Sequence, residues 1–214
     1  MTPQEEKLIR EWNDEISRDI QISLLITDDK RTKEFREFCE SLERLAPKSR
    51  IIKEKGQPKE PPAIQIGSTL RYHAVPLGAE LKPFLQTLSL SPDKLAAIPA
   101  SLHEHLKKLK LPATLKLFIA QQCPVCPTVV PQITGLAKAN ELISVTVIDC
   151  TLFPEMAQSD RVQSVPTVVL GEHFRWTGLV QLEELVEVII NRDPAALPVS
   201  SLERMLEEGS ALQV

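Results

Sequence analysis

Scarce residue types and missing patterns exclude several classes of protein. The 214 residues include four cysteines, too few for a domain held together by disulfides. No apolar run approaches the ~18 residues that a membrane-spanning helix requires, and the net charge of −4 leaves no basic surface for nucleic acid. The GxGxxG pattern of dinucleotide-binding folds is also absent. We therefore expect no nucleic-acid or membrane partner and no bound FAD or NAD.

The composition is otherwise that of an ordinary globular protein, with 43% hydrophobic and 25% charged residues. A chain of this length can form one large domain or two of about 100 residues each. Residues 1–6 are mostly polar, include two glutamates and lack the apolar core of a secretory signal. The expected location is cytoplasmic, in a compartment that keeps thiols reduced.

Two of the cysteines form the motif Cys123-Pro124-Val125-Cys126. The motif follows the apolar run 115–120, which predicts a strand, and precedes residues 128–138, which predict a helix. A thiol at the start of a helix lies near unpaired N–H groups and the positive end of the helix dipole, and both favour the reactive thiolate. Cys123 is therefore the candidate nucleophile, and Cys126, one turn further on, can close a disulfide with it.

A zinc site is the main alternative for paired cysteines. Zinc needs two more ligands, and the other ligand-type residues show no paired spacing that would supply them. These residues are Cys150, His103, His105 and His173. Cys39 lies on the apolar face of a predicted helix, as a core residue would, and Cys150 follows a predicted strand, where a buried, inert thiol is commoner than a third redox thiol. We expect no metal and no cofactor other than the Cys123–Cys126 redox pair.

The same order of predicted elements occurs twice along the chain. Each half consists of a helix, a strand, a helix, a strand, a hairpin that begins at a proline and a final helix, at a period of about 95 residues. The predicted strands are 20–26, 51–52, 61–66 and 70–74 in the first half, and 115–120, 145–148, 165–170 and 173–176 in the second. The joint falls at residues 89–97. We predict an α/β fold with domains at 1–92 and 93–192, followed by a tail at 193–214 that can form one short helix.

Residues 99–191 resemble the thioredoxin fold. The resemblance rests on the CxxC motif after the first strand of the second half, on Pro131 and on Pro166. This resemblance, combined with the repeat, implies two tandem thioredoxin-like folds, each a central mixed sheet flanked by helices. It also implies a cis Pro166 lying against the cysteine pair, with backbone groups of Val165 that align a substrate peptide as an extra strand. Pro124, inside the motif, is a further implied substrate contact.

A tandem repeat with CxxC in the second copy alone resembles the N-terminal domain of the flavoprotein subunit of alkyl hydroperoxide reductase. The supporting stretches are 27–29, 76–80, 126–130 and 148–149, with Phe153 shortly after. Archaeal-type protein disulfide oxidoreductases share the layout but usually carry CxxC in both halves. The resemblance implies a glutaredoxin-like thiol–disulfide oxidoreductase that passes electrons to a disulfide partner such as a peroxiredoxin. Because GxGxxG is absent, the implied electron donor is a separate flavoprotein reductase.

Two positions near the motif depart from many thioredoxins. Gln122 replaces the tryptophan before the first cysteine, and Leu117 stands where those proteins bury a carboxylate that helps to move the proton of the resolving thiol. Asp149 is the nearest later acid, although an aspartate at a strand end is more often a helix cap or a surface residue. Strand alternation is expected to point Lys116 away from the motif.

The first half has no thiol pair, but it places Pro62 as the second half places Pro166. It can act as a docking platform with residues 27–30 and 61–62 on its rim, or it can merely pack against the active half. The principal hypothesis is a disulfide oxidoreductase. The alternative is a non-enzymatic module that binds clients or senses redox state through the two thioredoxin-like grooves.

Overall fold

The computed structural model describes residues 1–57, 60–90, 98–171 and 174–191. Its strands are β1 (Ile20–Ile26), β2 (Ser49–Lys55), β3 (Ala63–Ile66), β4 (Leu70–His73), β5 (Ala113–Ile119), β6 (Ile143–Asp149), β7 (Thr167–Leu170) and β8 (Phe174–Thr177). Its helices are α1 (Pro3–Glu15), α2 (Thr32–Leu45), α3 (Leu81–Ser89), α4 (Ala100–Leu106), α5 (Cys126–Ala139), α6 (Pro154–Ser159) and α7 (Leu182–Asn191). A 3-10 turn, Gly78–Glu80, precedes α3. Most of the predicted joint, His173 and the predicted tail with its short helix lie outside the described residues.

The described strands form one mixed sheet in the order β2-β1-β3-β4-β6-β5-β7-β8. In each half the leading strand pairs in parallel with the second strand and antiparallel with the third, and the third pairs antiparallel with the fourth. Strand β4 pairs in parallel with β6 and joins the halves, which satisfies backbone groups that two separate edges would expose. The predicted α/β fold is confirmed, with the difference that its two four-stranded parts share one sheet. The domain boundary at residue 92 stays a prediction.

Helices α3 and α5 pack together where the two halves meet. The buried hydroxyls of Thr87 on α3 and Thr134 on α5 form a hydrogen bond of 2.9 Å. Beside Thr134, a Cβ at Gly135 would lie 3.2 Å from the Ile98 side chain, so glycine permits this close approach. Buried apolar side chains form a continuous core through both halves. The helix that begins with Cys126 is therefore fixed by residues of both halves.

Helix α1 begins with a capping box, in which side chains satisfy free N–H groups of the first turn. The Thr2 hydroxyl accepts a hydrogen bond from the Glu5 N–H (3.3 Å), and one Glu5 oxygen accepts from the Thr2 N–H (2.5 Å). The other Glu5 oxygen accepts from the Gly78 N–H at 2.7 Å. The start of α1 thereby holds the Gly78–Glu80 turn, which packs against α5.

The ends of two elements near the cysteine motif differ from the sequence-based prediction. Helix α5 begins at Cys126, two residues before the predicted start, so Cys126 belongs to its first turn. Strand β7 begins at Thr167, two residues after the predicted start, because Pro166 has no N–H to donate to the strand ladder. Within the described ranges, none of the helices is both long enough and apolar enough to cross a membrane.

Candidate redox site

The CPVC segment forms the corner between β5 and α5. The Cys123 N–H donates to the carbonyl of Ala120 (3.0 Å), and Cys126 is the first residue of the helix. A disulfide joins the two cysteines, with Cα atoms 5.5 Å apart. The Cys126 N–H donates to Cys123 Sγ at 3.0 Å. Because this donor belongs to the unpaired first turn of a helix, it also favours a thiolate on Cys123 in the reduced state.

The two sulfur-bearing residues differ in exposure. Cys123 is 8% exposed, whereas Cys126 is completely buried. Of the two residues, Cys123 alone keeps an exposed fraction, so it is the one that a sulfur of another molecule would meet first. This difference suits the roles predicted from the sequence, with Cys123 as the nucleophile and Cys126 as the resolving thiol.

The predicted substrate-contacting residues lie beside Cys123. Its Sγ is 3.7 Å from the carbonyl oxygen of Val165. The Val165–Pro166 peptide bond is cis, and the carbonyl of Pro166 accepts a hydrogen bond from the Gly178 N–H (2.8 Å). Pro124 is exposed and Pro166 is buried. The structure thus brings Cys123, Val165 and Pro166 together, while their binding of a peptide stays a prediction.

An exposed leucine next to this group was not anticipated from the sequence. Leu179 is 61% exposed and follows Gly178, whose φ of +82° is a conformation that favours glycine. The hydrogen bond between Gly178 and Pro166 places the residue before Leu179 beside the cis proline. A single leucine ahead of a helix carries no sequence signal for this position, because its exposure depends on how the turn folds.

A buried acid from the first half is a second residue that sequence reasoning missed. Glu80 is 4% exposed, and its Oε1 has no hydrogen-bond partner among the described residues. Burial, together with the negative charge of Asp149, raises the pKa of Glu80 from 4.5 to about 7. The turn that carries Glu80 packs against α5, whose first residue is Cys126. The available signal was a glutamate just before the apolar helix 81–88, inside the stretch 76–80 that supports the family resemblance.

Asp149 lies at the end of β6 and is 2% exposed, so it is not the surface residue that its position had also allowed. Its Oδ1 accepts hydrogen bonds from the N–H groups of Thr151 (2.8 Å) and Leu152 (3.4 Å), which makes it the cap of a turn.

Lys116 points away from the cysteines, as expected, and binds both carboxylate oxygens of Asp160 at 2.8 Å. Leu117 is completely buried.

The two other cysteines have environments that suppress thiolate formation. Burial raises the pKa of Cys39 to about 12, and burial with the charge of Asp149 raises the pKa of Cys150 to about 11. Both therefore remain protonated near pH 7, which weighs against a third redox thiol. The part of the chain that the structure describes holds no group of three or more His, Cys, Asp or Glu side chains able to bind a metal ion.

The corner between β1 and α2 occupies the equivalent place in the first half. Helix α2 begins at Thr32, as α5 begins at Cys126, so residues 29–32 correspond in position to residues 123–126. In place of a disulfide, the Asp29 carboxylate accepts hydrogen bonds from Arg31 Nε (3.0 and 3.1 Å) and Nη2 (2.6 Å). This corner contains no sulfur and is closed by an ion pair.

The proline that begins each hairpin also has different surroundings in the two halves. The Pro62 carbonyl lies 2.9 Å from Nδ1 of the buried His73. The residue before Pro62 is Pro61, which has no N–H, whereas Val165 has one to offer an extended peptide. This difference weighs against a peptide groove of the same kind in the first half and favours the packing role.

The fold and the cysteine corner define a protein of thioredoxin fold. Residues 113–191 match the family described as "Thioredoxin domain". The chain also resembles the alkyl hydroperoxide reductase protein AhpF from Xanthomonas campestris pv. phaseoli, with 25% identity over 176 residues, 80% of this chain and 33% of that protein. The AhpF protein of Staphylococcus aureus (strain NCTC 8325) is 26% identical over 72% of this chain and 30% of its own length. The chain thus spans about a third of the length of these curated relatives.

Two solved structures share the fold over nearly the whole chain. The NTD_N/C domain of alkylhydroperoxide reductase AhpF from Enterococcus faecalis has a TM-score of 0.72 and 16% identity, covering 88% of this chain and 99% of that one. A protein disulfide oxidoreductase from Aeropyrum pernix has a TM-score of 0.79 and 17% identity, covering 92% and 96%. The predicted resemblance to these two kinds of protein is confirmed at the level of fold.

Proposed function

We propose that the chain is a thiol–disulfide oxidoreductase that passes reducing equivalents through Cys123 and Cys126 to a disulfide on a partner protein. The observation that carries this proposal is the asymmetry of the corner. Cys123 keeps a small exposed fraction and its sulfur accepts a hydrogen bond from the Cys126 N–H at 3.0 Å, while Cys126 is completely buried. One sulfur is therefore placed to meet a partner, and the other to complete the exchange.

The exchange begins with the reduced pair. The Cys123 thiolate attacks one sulfur of the partner disulfide, whose second sulfur leaves as a thiolate and takes up a proton. Cys126 then loses its proton and attacks Cys123 Sγ, which breaks the mixed disulfide and releases the partner's first thiol. Two electrons pass to the partner, and the Cys123–Cys126 disulfide remains for another reductant to reduce.

We assign Glu80 as the group that accepts the proton of the Cys126 thiol. It is buried at the turn that packs on α5, and its raised pKa, about 7, lets it exist in both protonation states near neutral pH. A carboxylate there can accept the thiol proton during resolution. Leu117 leaves the second half without an acid on β5, so the first half supplies one.

The partner that we propose is a peroxiredoxin-like protein, with a separate flavoprotein reductase as the electron donor and the cytoplasm as the location. The similarity to AhpF supports this assignment, since that relative is named as an alkyl hydroperoxide reductase protein. The chain covers a third of that relative and 99% of the NTD_N/C domain structure of AhpF from Enterococcus faecalis. We propose that the electrons reach Cys123 from this separate reductase.

Reduction of insulin by dithiothreitol tests the activity. The intact protein should accelerate the reaction, and Cys123→Ser should abolish the acceleration. Cys126→Ser should instead trap a mixed disulfide with the partner, because the first attack proceeds and the second cannot. Equal rates for intact protein and Cys123→Ser would reject the oxidoreductase and leave the client-binding module.

A further inference from the structure

Arg31, in the first-half corner, is bound on all sides. Its Nε and Nη2 donate to the Asp29 carboxylate, and its Nη1 donates to the Leu152 carbonyl at 2.8 Å. Nη1 also forms an ion pair of 2.7 Å with Glu155, and the guanidinium lies 4.1 Å from the centre of the Phe153 ring. The side chain is 21% exposed, and a guanidinium suits such a site because its planar donors bind in a fixed geometry. A residue of the first half therefore binds residues 152–155 of the second half.

Residues 152 and 153 belong to a turn that is held together by hydrogen bonds to Asp149. The Asp149 side chain accepts from the Thr151 N–H, and its carbonyl accepts from the Phe153 N–H at 2.8 Å. Phe153 is fully buried, with edge contacts to Phe35 (6.1 Å) and His73 (5.7 Å) of the first half. Arg31 covers the outer side of this turn. Its loss would free the Leu152 carbonyl and leave the Phe153 ring without its cation.

The same turn borders the redox corner and the buried acid. The Cys150 N–H donates to the carbonyl of Ile119, the last residue of the strand that leads to Cys123. Asp149, at the start of the turn, is close enough to Glu80 to raise its pKa. The first-half corner thus has no thiols, but its contacts extend to the loop beside the working disulfide.

We propose that Arg31 is a positioning residue for disulfide exchange: from the thiol-free corner of the first half it holds the Asp149–Phe153 turn in place, so that Glu80 keeps the buried setting in which it takes the proton of Cys126. This inference rests on the proposed function. Arg31 touches neither sulfur and acts only through the turn. The first half then takes part in the chemistry through Arg31 and Glu80, although it has no redox group.

Titration of the Glu80 carboxyl tests the inference directly. The charged or titratable groups near Glu80 are Asp149 from β6 and Tyr72 from β4, and α1 brings Glu5 to the same turn. Helix α5, which begins with Cys126, packs against that turn. Carboxyl ¹³C NMR, with the signal assigned by its loss in Glu80→Gln, should give a midpoint near 7 in the intact protein. Without Arg31 the turn opens and water reaches Glu80, so the midpoint should fall by roughly one pH unit.

The variants are Arg31→Met, which removes the charge, and Arg31→Lys, which keeps the charge but loses the planar donors and should give a smaller shift. Lys33→Met is the matched control, because Lys33 lies two residues after Arg31, in the first turn of α2, and forms an exposed pair with Glu37. Its replacement should leave the midpoint unchanged. Should Arg31→Met not fold, Glu155→Gln removes one outer partner and should shift the midpoint in the same direction.

A folded Arg31→Met protein whose Glu80 midpoint equals that of the intact protein would overturn the inference. If Arg31→Met does not fold, an unchanged Glu80 midpoint in Glu155→Gln would overturn it instead. The titration needs no disulfide exchange, so its failure is separate from failure of the Cys123→Ser comparison. A kinetic readout adds the functional link. The pH profile of mixed-disulfide resolution should move with the Glu80 midpoint in Arg31→Met and stay in place in Lys33→Met.

Discussion

The corners before α2 and α5 show how one backbone arrangement serves two purposes. In both, a strand ends and a helix begins after a short loop, which presents unpaired N–H groups. In the second half the N–H of the first helical residue points to the sulfur of Cys123. In the first half the Arg31 N–H donates to the Asp29 carboxylate at 2.8 Å. The fold therefore supplies an anion-favouring corner, and four residues decide whether the anion is a thiolate or a fixed carboxylate.

The largest expected effect removes the sulfur that distinguishes the two corners. Cys123→Ser should lower the rate of insulin disulfide reduction by about 100-fold or more, because the hydroxyl is not ionised and does not attack disulfides at neutral pH. Lys30→Ser changes an exposed residue of the first-half corner and should leave the rate within about twofold of the intact protein. A comparable loss in Lys30→Ser would mean that the two corners are not functionally different.

A second test compares the four thiols within one molecule. In the reduced protein at pH 7, iodoacetamide should modify Cys123 at least about tenfold faster than Cys126, Cys39 or Cys150. The physical reasons are the helix N–H that favours a thiolate on Cys123, the complete burial of Cys126 and the raised pKa of the two other thiols. Mass spectrometry of peptides at short labelling times gives the four rates. Faster modification of Cys126 would reverse the assigned roles.

The comparison also shows what sequence reasoning could and could not reach. The order of helices and strands follows from apolar periodicity, and the position of Cys123 follows from its place between an apolar run and a helical one. The pairing of β4 with β6 leaves no trace in either strand, because the two strands are far apart in the chain and local apolar patterns do not record which strands become neighbours. One continuous sheet could therefore not be distinguished from two.

Glu80 and Arg31 were missed for a related reason. Each is a charged residue near a helix start, where a solvated side chain is the ordinary outcome. Glu80 is buried only because the turn is covered by α1 and α5, and Arg31 is held only because residues 152–155 reach it from the other half. Both positions depend on contacts between segments far apart in the chain, which local patterns do not record.

A third test concerns the surface beside the working corner. Leu179→Asp should raise the KM for a protein disulfide about fivefold, the effect of losing about 1 kcal/mol of apolar contact with the partner. A small disulfide that cannot reach Leu179 should be reduced at an unchanged rate. Leu111→Asp is the matched control, since Leu111 is 60% exposed and precedes the opposite end of β5. Equal KM values for the two variants would show that Leu179 takes no part in docking.

The last test measures stability, and it asks whether the first half contributes a buried, protonated acid to the second. The pKa of Glu80 is raised from 4.5 to about 7 in the folded protein, so the folded state binds the proton more tightly than the unfolded state. Its contribution is complete below pH 4.5 and is lost as pH rises through about 7. In Glu80→Gln this loss is absent. The free energy of unfolding at pH 8, measured relative to its value at pH 4, should therefore be higher in Glu80→Gln than in the intact protein by about 1–3 kcal/mol.

Urea unfolding at the two pH values, followed by circular dichroism, measures this difference. Glu141→Gln is the control, because Glu141 is an exposed glutamate of the second half and its replacement should leave the pH dependence unchanged. If Glu80→Gln and Glu141→Gln give the same pH dependence, Glu80 is not held protonated by the fold near neutral pH. The first half would then support the redox corner by packing alone, and Cys126 would have to release its proton to a group other than Glu80.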